Sequence, residues 1–219
     1  MQVIPAILPK SYDELLNKFE RVKDFQNLIQ IDLVDGRIGK EKTWIPKEGE
    51  DLAHFPDHEF QFDLMVEDWQ SVSHALSLFV RVHSFVFHID SFREDEIVLV
   101  SKWCKDNDIK CGFSISNDTG MEILINAIYA AREDNRDLFV QIMGIHSIGQ
   151  QGQLFDDTCL ARIRKVRENF GDIVIQVDGA MRPETVRKIK TAGADACVVG
   201  SYLFGREEMS LPLEELAAI

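Results

Sequence analysis

The chain has 219 residues, a formal net charge of −13 at pH 7 and a hydrophobic content of 45%. The negative net charge argues against nonspecific binding to nucleic acid or to an anionic membrane, because such binding depends on basic patches. The hydrophobic content is sufficient for a sizeable core, and no Pro/Gly/Ser-rich or low-complexity tract divides the sequence. We therefore expect a single domain over residues 1–219.

The four cysteines predict reduced thiols rather than a disulfide framework or a zinc site. They show no CxxC spacing, and they are Cys104, Cys111, Cys159 and Cys197. The amino terminus has no basic segment followed by a long apolar stretch, and no segment approaches the length of a membrane span. A cytoplasmic location is the resulting expectation.

Eight short runs rich in β-branched and aromatic residues recur at fairly even spacing and predict eight strands. Their nearly continuous apolar character is typical of parallel strands that are covered on both faces. The predicted strands are Val3–Ile7, Leu28–Val34, Glu59–Met65, Ser84–Ile89, Ile109–Ser114, Leu138–Met143, Asp172–Val177 and Ala194–Val199.

Segments with helical periodicity lie between most of these strands. In the first, Ser11 and Glu14 form an S-x-x-E capping box ahead of an amphipathic run. The connection from Arg37 to His58 is polar and contains Pro46 and Pro56, so any helix there should be short. The predicted helices are Ser11–Phe25, Trp69–Val80, Glu94–Lys105, Thr119–Ala131, Asp156–Asn169 and Arg182–Ala192.

Strands that alternate with helices in this way indicate βαβ units. Eight such units favour closure into a single (β/α)₈ TIM barrel, and a doubly wound open sheet is the alternative. In a barrel, the active site lies at the carboxyl ends of the strands.

Three predicted strands carry an aspartate within or directly after an apolar run: Asp32, Asp63 and Asp178. A buried carboxylate is unfavourable unless it is paired, hydrogen-bonded or bound to a metal. Carboxylates that converge from distant strands suit proton transfer or divalent-metal binding. Asp32 and Asp178 are the first candidates for catalysis.

Other polar residues at the predicted strand ends have structural alternatives. Asp35 could serve the turn with Gly36, and Asp90 could cap the next helix. His88 is either a site residue or a core histidine that is hydrogen-bonded to a neighbour. Ser114 and His146 also lie at strand ends.

Small residues follow the last two predicted strands, where barrel enzymes often bind phosphate through backbone N–H groups. They belong to the segments Val177–Ala180 and Val198–Gly205, although glycines at such places also occur simply to make tight turns. The loop Gly149–Gln153, which includes Gly152, is either a mobile lid or a solvated turn. The predicted phosphate contacts are Gly179, Ala180, Gly200 and Ser201.

Taken together, the segments resemble the ribulose-phosphate 3-epimerase family, in order and over nearly the whole chain. The resemblance implies a TIM barrel that binds a divalent metal, commonly zinc, and interconverts ribulose 5-phosphate and xylulose 5-phosphate. It is carried by Pro5–Leu8, Asp32–Gly36, Asp63–Val66, Phe87–Asp90, Met143–Phe155, Val177–Gly179 and Ala192–Phe204.

The resemblance also implies a metal held by two aspartates and two histidines. Here the aspartate positions are Asp32 and Asp178, whereas the histidine positions are Gln30 and Asp63. We therefore expect an oxygen-rich divalent site built from the three aspartates, with Gln30 as a doubtful fourth ligand. Such a site suits magnesium, manganese or calcium better than zinc, and loss of the metal is the alternative.

Other positions depart from the family pattern as well. Ala6 replaces a serine, Ala180 replaces a glycine, and the loop Gly144–Gly149 differs from the family's Asn-Pro-Gly turn. By resemblance, three methionines would line the site. One of them is Val34 here, and Met65 and Met143 are kept.

The expected activity is epimerisation at C3 of a ketose phosphate, in which Asp32 and Asp178 exchange protons on opposite faces of the carbon. His88 could donate a hydrogen bond to a substrate oxygen. The expected partner is a small phosphorylated sugar, and a homo-oligomer is possible.

Two alternatives stay open: a non-catalytic phosphometabolite-binding barrel, and another phosphosugar lyase or isomerase on the same scaffold. The related decarboxylase and synthase group has a D-x-K-x-x-D element. The run from Asp32 to Asp35 has no lysine between its acids, which counts against that group.

Overall fold

The architecture was established from a computed structural model, which describes residues 1–38, 41–47, 50, 52, 55, 57–90, 92–146, 148–149 and 152–219. Eight parallel strands close into a barrel in chain order, with the first strand paired to the last, so the predicted (β/α)₈ TIM barrel is confirmed. The strands are β1 (Gln2–Ile7), β2 (Leu28–Val34), β3 (Glu59–Met65), β4 (Val82–His88), β5 (Lys110–Ile115), β6 (Leu138–Met143), β7 (Val174–Asp178) and β8 (Ala196–Val199).

Helices follow most of the strands and cover the outside of the barrel. Between β2 and β3, where at most a short helix was predicted, the described residues contain no helix, and Pro56 of that connection lies outside the described residues. The helices are α1 (Tyr12–Val22), α2 (Trp69–Phe79), α3 (Glu94–Asp106), α4 (Met121–Arg132), α5 (Thr158–Asn169), α6 (Pro183–Ala192), α7 (Ser201–Phe204) and α8 (Ser210–Ala217). Across the described part of the chain, no helix is both long and apolar enough to cross a membrane.

The start of α1 shows how local sequence sets an element boundary. The hydroxyl of Ser11 accepts a hydrogen bond from the backbone N–H of Glu14 at 3.2 Å, as an N-cap should. The Glu14 carboxylate accepts from the backbone N–H of Lys10 at 2.7 Å, one residue before the cap. Ser11 therefore caps the helix. The Glu14 side chain bonds to the backbone N–H of Lys10, however, and not to that of Ser11 as in the predicted capping box.

Side chains alternate between the two faces of each strand, so one core lies between the barrel and its helices and another lies inside the barrel. Residues such as Ile31 and Phe62 are fully buried in the large cluster between the barrel and its helices. On the β1 and β8 side, the interior of the barrel holds a small apolar cluster of Ile4, Ala6, Ala196 and Val198. Much of the rest of the interior is polar, which is unusual for a barrel core and directs attention to the other strands.

On four strands, a glutamine that points into the barrel lies two residues before a residue at the barrel mouth. Side chains two positions apart in a strand point to the same face, so each glutamine lies beneath the residue that follows it. The strand register places these amides side by side in a buried layer. The glutamines are Gln30, Gln61, Gln141 and Gln176, and the residues above them are Asp32, Asp63, Met143 and Asp178.

Candidate active site

The carboxyl ends of the strands form a cleft in which Asp32 of β2 and Asp178 of β7 face each other. Asp32 is 9% exposed. One side-chain amide joins the two acids: Nε2 of Gln30 donates to Oδ1 of Asp32 at 2.8 Å and to Oδ2 of Asp178 at 3.0 Å. The barrel therefore brings together two carboxylates that are far apart in the sequence.

Asp63 lies next to this pair but has its own partners. Nε2 of His88 contacts its Oδ1 at 2.8 Å, and Nε2 of Gln141 donates to its Oδ2 at 2.7 Å. Both side chains of the His88 and Asp63 pair are almost fully buried. Burial opposes a charge on the imidazole, but the Asp63 carboxylate outweighs that effect and raises the pKa of His88. The two side chains thus form a buried hydrogen-bonded pair in which the charged form of the imidazole is favoured.

Burial and mutual repulsion raise the pKa of both cleft carboxyls. For Asp32, burial and then the charges of Asp178 and Asp63 hold the pKa well above its usual range. For Asp178, burial and the charge of Asp63 raise the pKa to about 7, against the lowering effect of the hydrogen bond from Gln30. The cleft therefore favours a carboxyl pair that retains a proton near neutral pH.

Most of the residues predicted to contact substrate line the cleft. Gln30, Asp63 and His88 are not among the lining residues and lie beneath it. The structure thus favours the alternative in which His88 is a core histidine bonded to a neighbour. The predicted residues that line the cleft are Asp32, Met65, Met143, Gly152, Asp178, Gly179, Ala180, Gly200 and Ser201.

The other polar residues at strand ends have structural partners. Asp35 accepts from the backbone N–H of Arg37 at 2.7 Å, which is the turn role considered for it. Asp90 accepts from the backbone N–H of Ser116 at 2.9 Å, so it fastens the loop after β5 instead of capping α3. The ring of His146 is exposed and pairs with Asp118 at 3.5 Å.

Two further predictions concern Ser114 and the loop after β6. The buried hydroxyl of Ser114 has no hydrogen-bond partner in the described part of the structure. Of the predicted lid, Gln150 and Gln151 lie outside the described residues.

Several residues of the site were not predicted from the sequence. Arg182, just before α6, lines the cleft beside the predicted phosphate residues. It was missed because it does not directly follow a strand. Gln61, Gln141 and Gln176 were also missed, although the repeated Q-x-D spacing in β2, β3 and β7 is a signal that could have found them. Further lining residues are Leu8, Ile145, Gln153, Met181 and Val198.

The turn after β7 requires an unusual backbone. Gly179 has φ +106°, and Ala180 has φ +56°. A Cβ on Gly179 would lie 2.7 Å from Cγ1 of Ile145. Both the left-handed conformation and this close approach therefore require glycine at position 179.

We expect Gly179→Ala to lower the free energy of unfolding by about 1–3 kcal/mol, because it combines strain with a clash. Urea unfolding followed by circular dichroism measures the effect. Gly171→Ala is the matched control, since a Cβ there meets no atom within 4 Å. Equal stability of the two variants would contradict this reading of the turn.

The three aspartates are placed to share a cation, but the hydrogen bonds around them compete with one. One oxygen each from Asp32, Asp63 and Asp178 lie within 4.8 Å of one another, which is close enough to share an ion. However, both oxygens of Asp63 accept N–H hydrogen bonds, and Gln30 directs its N–H groups at the other two acids. A cation needs a lone pair at each ligand, and the Gln30 nitrogen presents hydrogens at the position of the expected fourth ligand.

Comparison with known proteins agrees with this fold. Residues 2–204 match the model of the ribulose-phosphate 3 epimerase family. The chain is 24% identical to the ribulose-phosphate 3-epimerase of Helicobacter pylori strain J99, over 99% of this chain and 96% of that protein. It is 23% identical to the corresponding epimerase of Bacillus subtilis strain 168, over 99% of this chain and 98% of that protein.

The fold also matches a solved structure of 3-keto-L-gulonate-6-phosphate decarboxylase from Vibrio cholerae. The TM-score is 0.72 at 12% identity, and the match covers 99% of this chain and 97% of that chain. At this identity the likeness shows the barrel fold alone. The match to the family model covers most of the sequence, and on that basis the chain belongs to the ribulose-phosphate 3 epimerase family.

Proposed function

We propose that the protein is an isomerase that epimerises C3 of a ketose phosphate, with ribulose 5-phosphate and xylulose 5-phosphate or a close analogue as its substrates. The observation that carries this proposal is the meeting of Asp32 and Asp178 in one cleft, each within hydrogen-bond distance of the same Gln30 amide. Family membership supports it.

Epimerisation needs one base and one acid at the same carbon. The ionised carboxylate takes the C3 proton, and the resulting enediolate regains a proton on its opposite face from the protonated carboxyl. The raised pKa values of Asp32 and Asp178 support a singly protonated pair near neutral pH. After one turnover the two acids have exchanged roles, so the reverse reaction uses the same machinery.

The buried methionines at the cleft support the intermediate by excluding water. Met65 and Met143 are 2% and 3% exposed and line the cleft beside the acids. A dry, apolar wall strengthens the electrostatic interactions inside the site and protects the enediolate from side reactions. This is the role that we assign to them.

The phosphate group lies, in this proposal, between the loops after β7 and β8. Gly179, Ala180, Gly200 and Ser201 line that end of the cleft, and Arg182 adds a positive charge in an otherwise strongly acidic protein. A guanidinium can bind a phosphate with two parallel hydrogen bonds.

We expect Arg182→Gln to raise KM for the sugar phosphate about 10-fold or more and to change kcat little, because a charged hydrogen bond contributes about 1.5–3 kcal/mol. Steady-state kinetics measure both constants. Arg187→Gln is the control, since Arg187 lies on α6 but is not among the lining residues. An unchanged KM for Arg182→Gln would remove Arg182 from the phosphate site.

The activity should also depend on pH in a defined direction. Below about pH 7 the second carboxyl of the pair becomes protonated, because the pKa of Asp178 is raised to about 7. No base then remains, so kcat is expected to fall as the pH decreases from 8 to 5. A kcat that is constant over this range, measured on folded protein, would contradict the shared-proton pair.

Product identification by NMR after incubation with ribulose 5-phosphate tests the function. Xylulose 5-phosphate is the expected product. A decarboxylase or aldol-type enzyme would instead break a carbon–carbon bond, and a binding protein would give no product. The lining residues in the described part of the cleft include no lysine, which argues against a Schiff-base aldolase.

A further inference from the structure

Gln30 lies between Asp32 and Asp178 and bridges them. Its Nε2 contacts Asp32 at 2.8 Å and Asp178 at 3.0 Å, so one amide restrains both carboxylates. Gln30 itself is fully buried. When both acids are ionised they repel each other, and the shared amide opposes their separation.

The orientation of this amide is set by a second glutamine beneath it. Nε2 of Gln61 donates to Oε1 of Gln30 at 2.6 Å, which leaves the Gln30 nitrogen facing the acids. If Gln30 turned its oxygen toward a cation, its nitrogen would face the Gln61 nitrogen, and two donors would be in contact. The Gln61 oxygen is in turn occupied by the hydroxyl of Ser84, which donates to it at 2.9 Å.

The chain of hydrogen bonds continues to the amino-terminal end of the barrel. Nδ1 of His83 lies 3.0 Å from Oγ of Ser84, and Nζ of Lys110 lies 3.2 Å from Nε2 of His83. An ammonium group only donates, so the ring must accept from Lys110 and donate to Ser84. Burial and the charge of Lys110 lower the pKa of His83, which favours the neutral ring that this pattern needs.

Every group in this chain therefore donates toward the catalytic acids. Reversing the Gln30 amide would require reversing the Gln61 amide and the Ser84 hydroxyl as well. It would also require the other tautomer of His83, whose ring N–H would then face the ammonium group of Lys110, so that two donors would be in contact. Hydrogen bonds that run in one direction also strengthen one another. The orientation of the Gln30 amide is thus set by this chain of hydrogen bonds.

We propose that Gln30 is a positioning residue that replaces a divalent cation, so that the two catalytic acids are held by its N–H groups and the protein works without a bound metal. The catalytic part of this inference rests on the proposed epimerase function. The structural part, that no divalent ion binds between the acids, can be tested independently of any activity.

Titration of the purified full-length protein with Mn²⁺, followed by electron paramagnetic resonance, tests the structural part. The wild type is expected to show no saturable binding. Gln30→Glu is expected to gain a saturable site, because it replaces the N–H donors between Asp32 and Asp178 with a carboxylate. Saturable Mn²⁺ binding by the wild type that is lost in Asp32→Asn would overturn the inference.

The catalytic part is tested with ribulose 5-phosphate before and after treatment with a chelator. Exchange of the C3 proton is expected to be unchanged by chelation and by later addition of Mn²⁺. Loss of exchange on chelation and its recovery with Mn²⁺ would overturn the inference. If the untreated wild type shows no exchange, the proposed function fails, and the Mn²⁺ titration still decides whether Gln30 replaces a cation.

Two variants separate positioning from a general effect on folding. Gln30→Leu is expected to lower kcat about 100-fold, with KM nearly unchanged, because the acids lose their alignment. Ser84→Ala interrupts the chain away from the acids and should lower kcat about 2- to 10-fold, the effect of one hydrogen bond. A normal kcat in both folded variants would contradict the positioning role.

Discussion

Asp32→Asn and Asp178→Asn are each expected to reduce interconversion of the two epimers by about 10²- to 10⁴-fold, because asparagine cannot accept or return the proton. The substitution preserves the shape of the side chain and an acceptor oxygen for Gln30. Both variants should therefore remain folded. Steady-state kinetics with ribulose 5-phosphate, together with thermal unfolding, measure the two effects separately.

The same pair of variants gives a stereochemical test. Each retained aspartate faces one side of C3, so each variant should still exchange the C3 proton of one epimer with solvent and fail with the other. The retained epimer should differ between the two variants. Asp35→Asn is the control, because Asp35 is engaged in a turn and is not among the lining residues. Exchange of the same epimer in both variants would contradict two-sided proton transfer.

His88→Leu is expected to lower the free energy of unfolding by about 3–5 kcal/mol, since it leaves the buried Asp63 carboxylate without its cationic partner. For a domain of this size, the melting temperature should fall by roughly 6–20 °C. Adding Asp63→Asn to His88→Leu removes the unpaired charge and should recover part of the loss. Thermal unfolding by calorimetry measures all three proteins.

His146→Leu is the matched control for this prediction. His146 also pairs with an aspartate, but both side chains are exposed, and exposed pairs contribute about 0–1 kcal/mol. A similar loss of stability in both histidine variants would show that the pairing of His88 with Asp63 is not what stabilises the barrel.

The pH dependence of stability follows from the raised pKa of His88. A raised pKa in the folded state means that the ion pair contributes fully below the unfolded pKa of about 6.5, and that this contribution is lost as the pH rises through the folded value. The difference in stability between wild type and His88→Leu should therefore be larger near pH 6 than in alkaline buffer.

The barrel could be predicted because its signals are local and repeated. Runs such as Leu28–Val34 are apolar at almost every position, and the helices between them are amphipathic. The helices after β8 were not predicted. Helix α7 has only four residues, and Pro212 lies in the first turn of α8, where proline is tolerated but weakens a sequence-based prediction.

The candidate site was predictable only in part, for a physical reason. Asp32 and Asp178 stand out because a carboxylate in an apolar strand needs compensation. The identity of the compensating group depends on side chains from strands that are distant in sequence. Gln30 was considered only as a doubtful metal ligand, because its orientation is set by Gln61 and by the chain of donors beneath it.

The position of solvent deuterium in the product tests the central claim most directly. The wild-type protein is incubated with ribulose 5-phosphate in D₂O and followed by NMR. We predict that the proton at C3 is replaced by deuterium and that no other carbon is labelled as xylulose 5-phosphate forms. Label at C1, or binding of the sugar without any exchange at C3, would contradict proton transfer by Asp32 and Asp178.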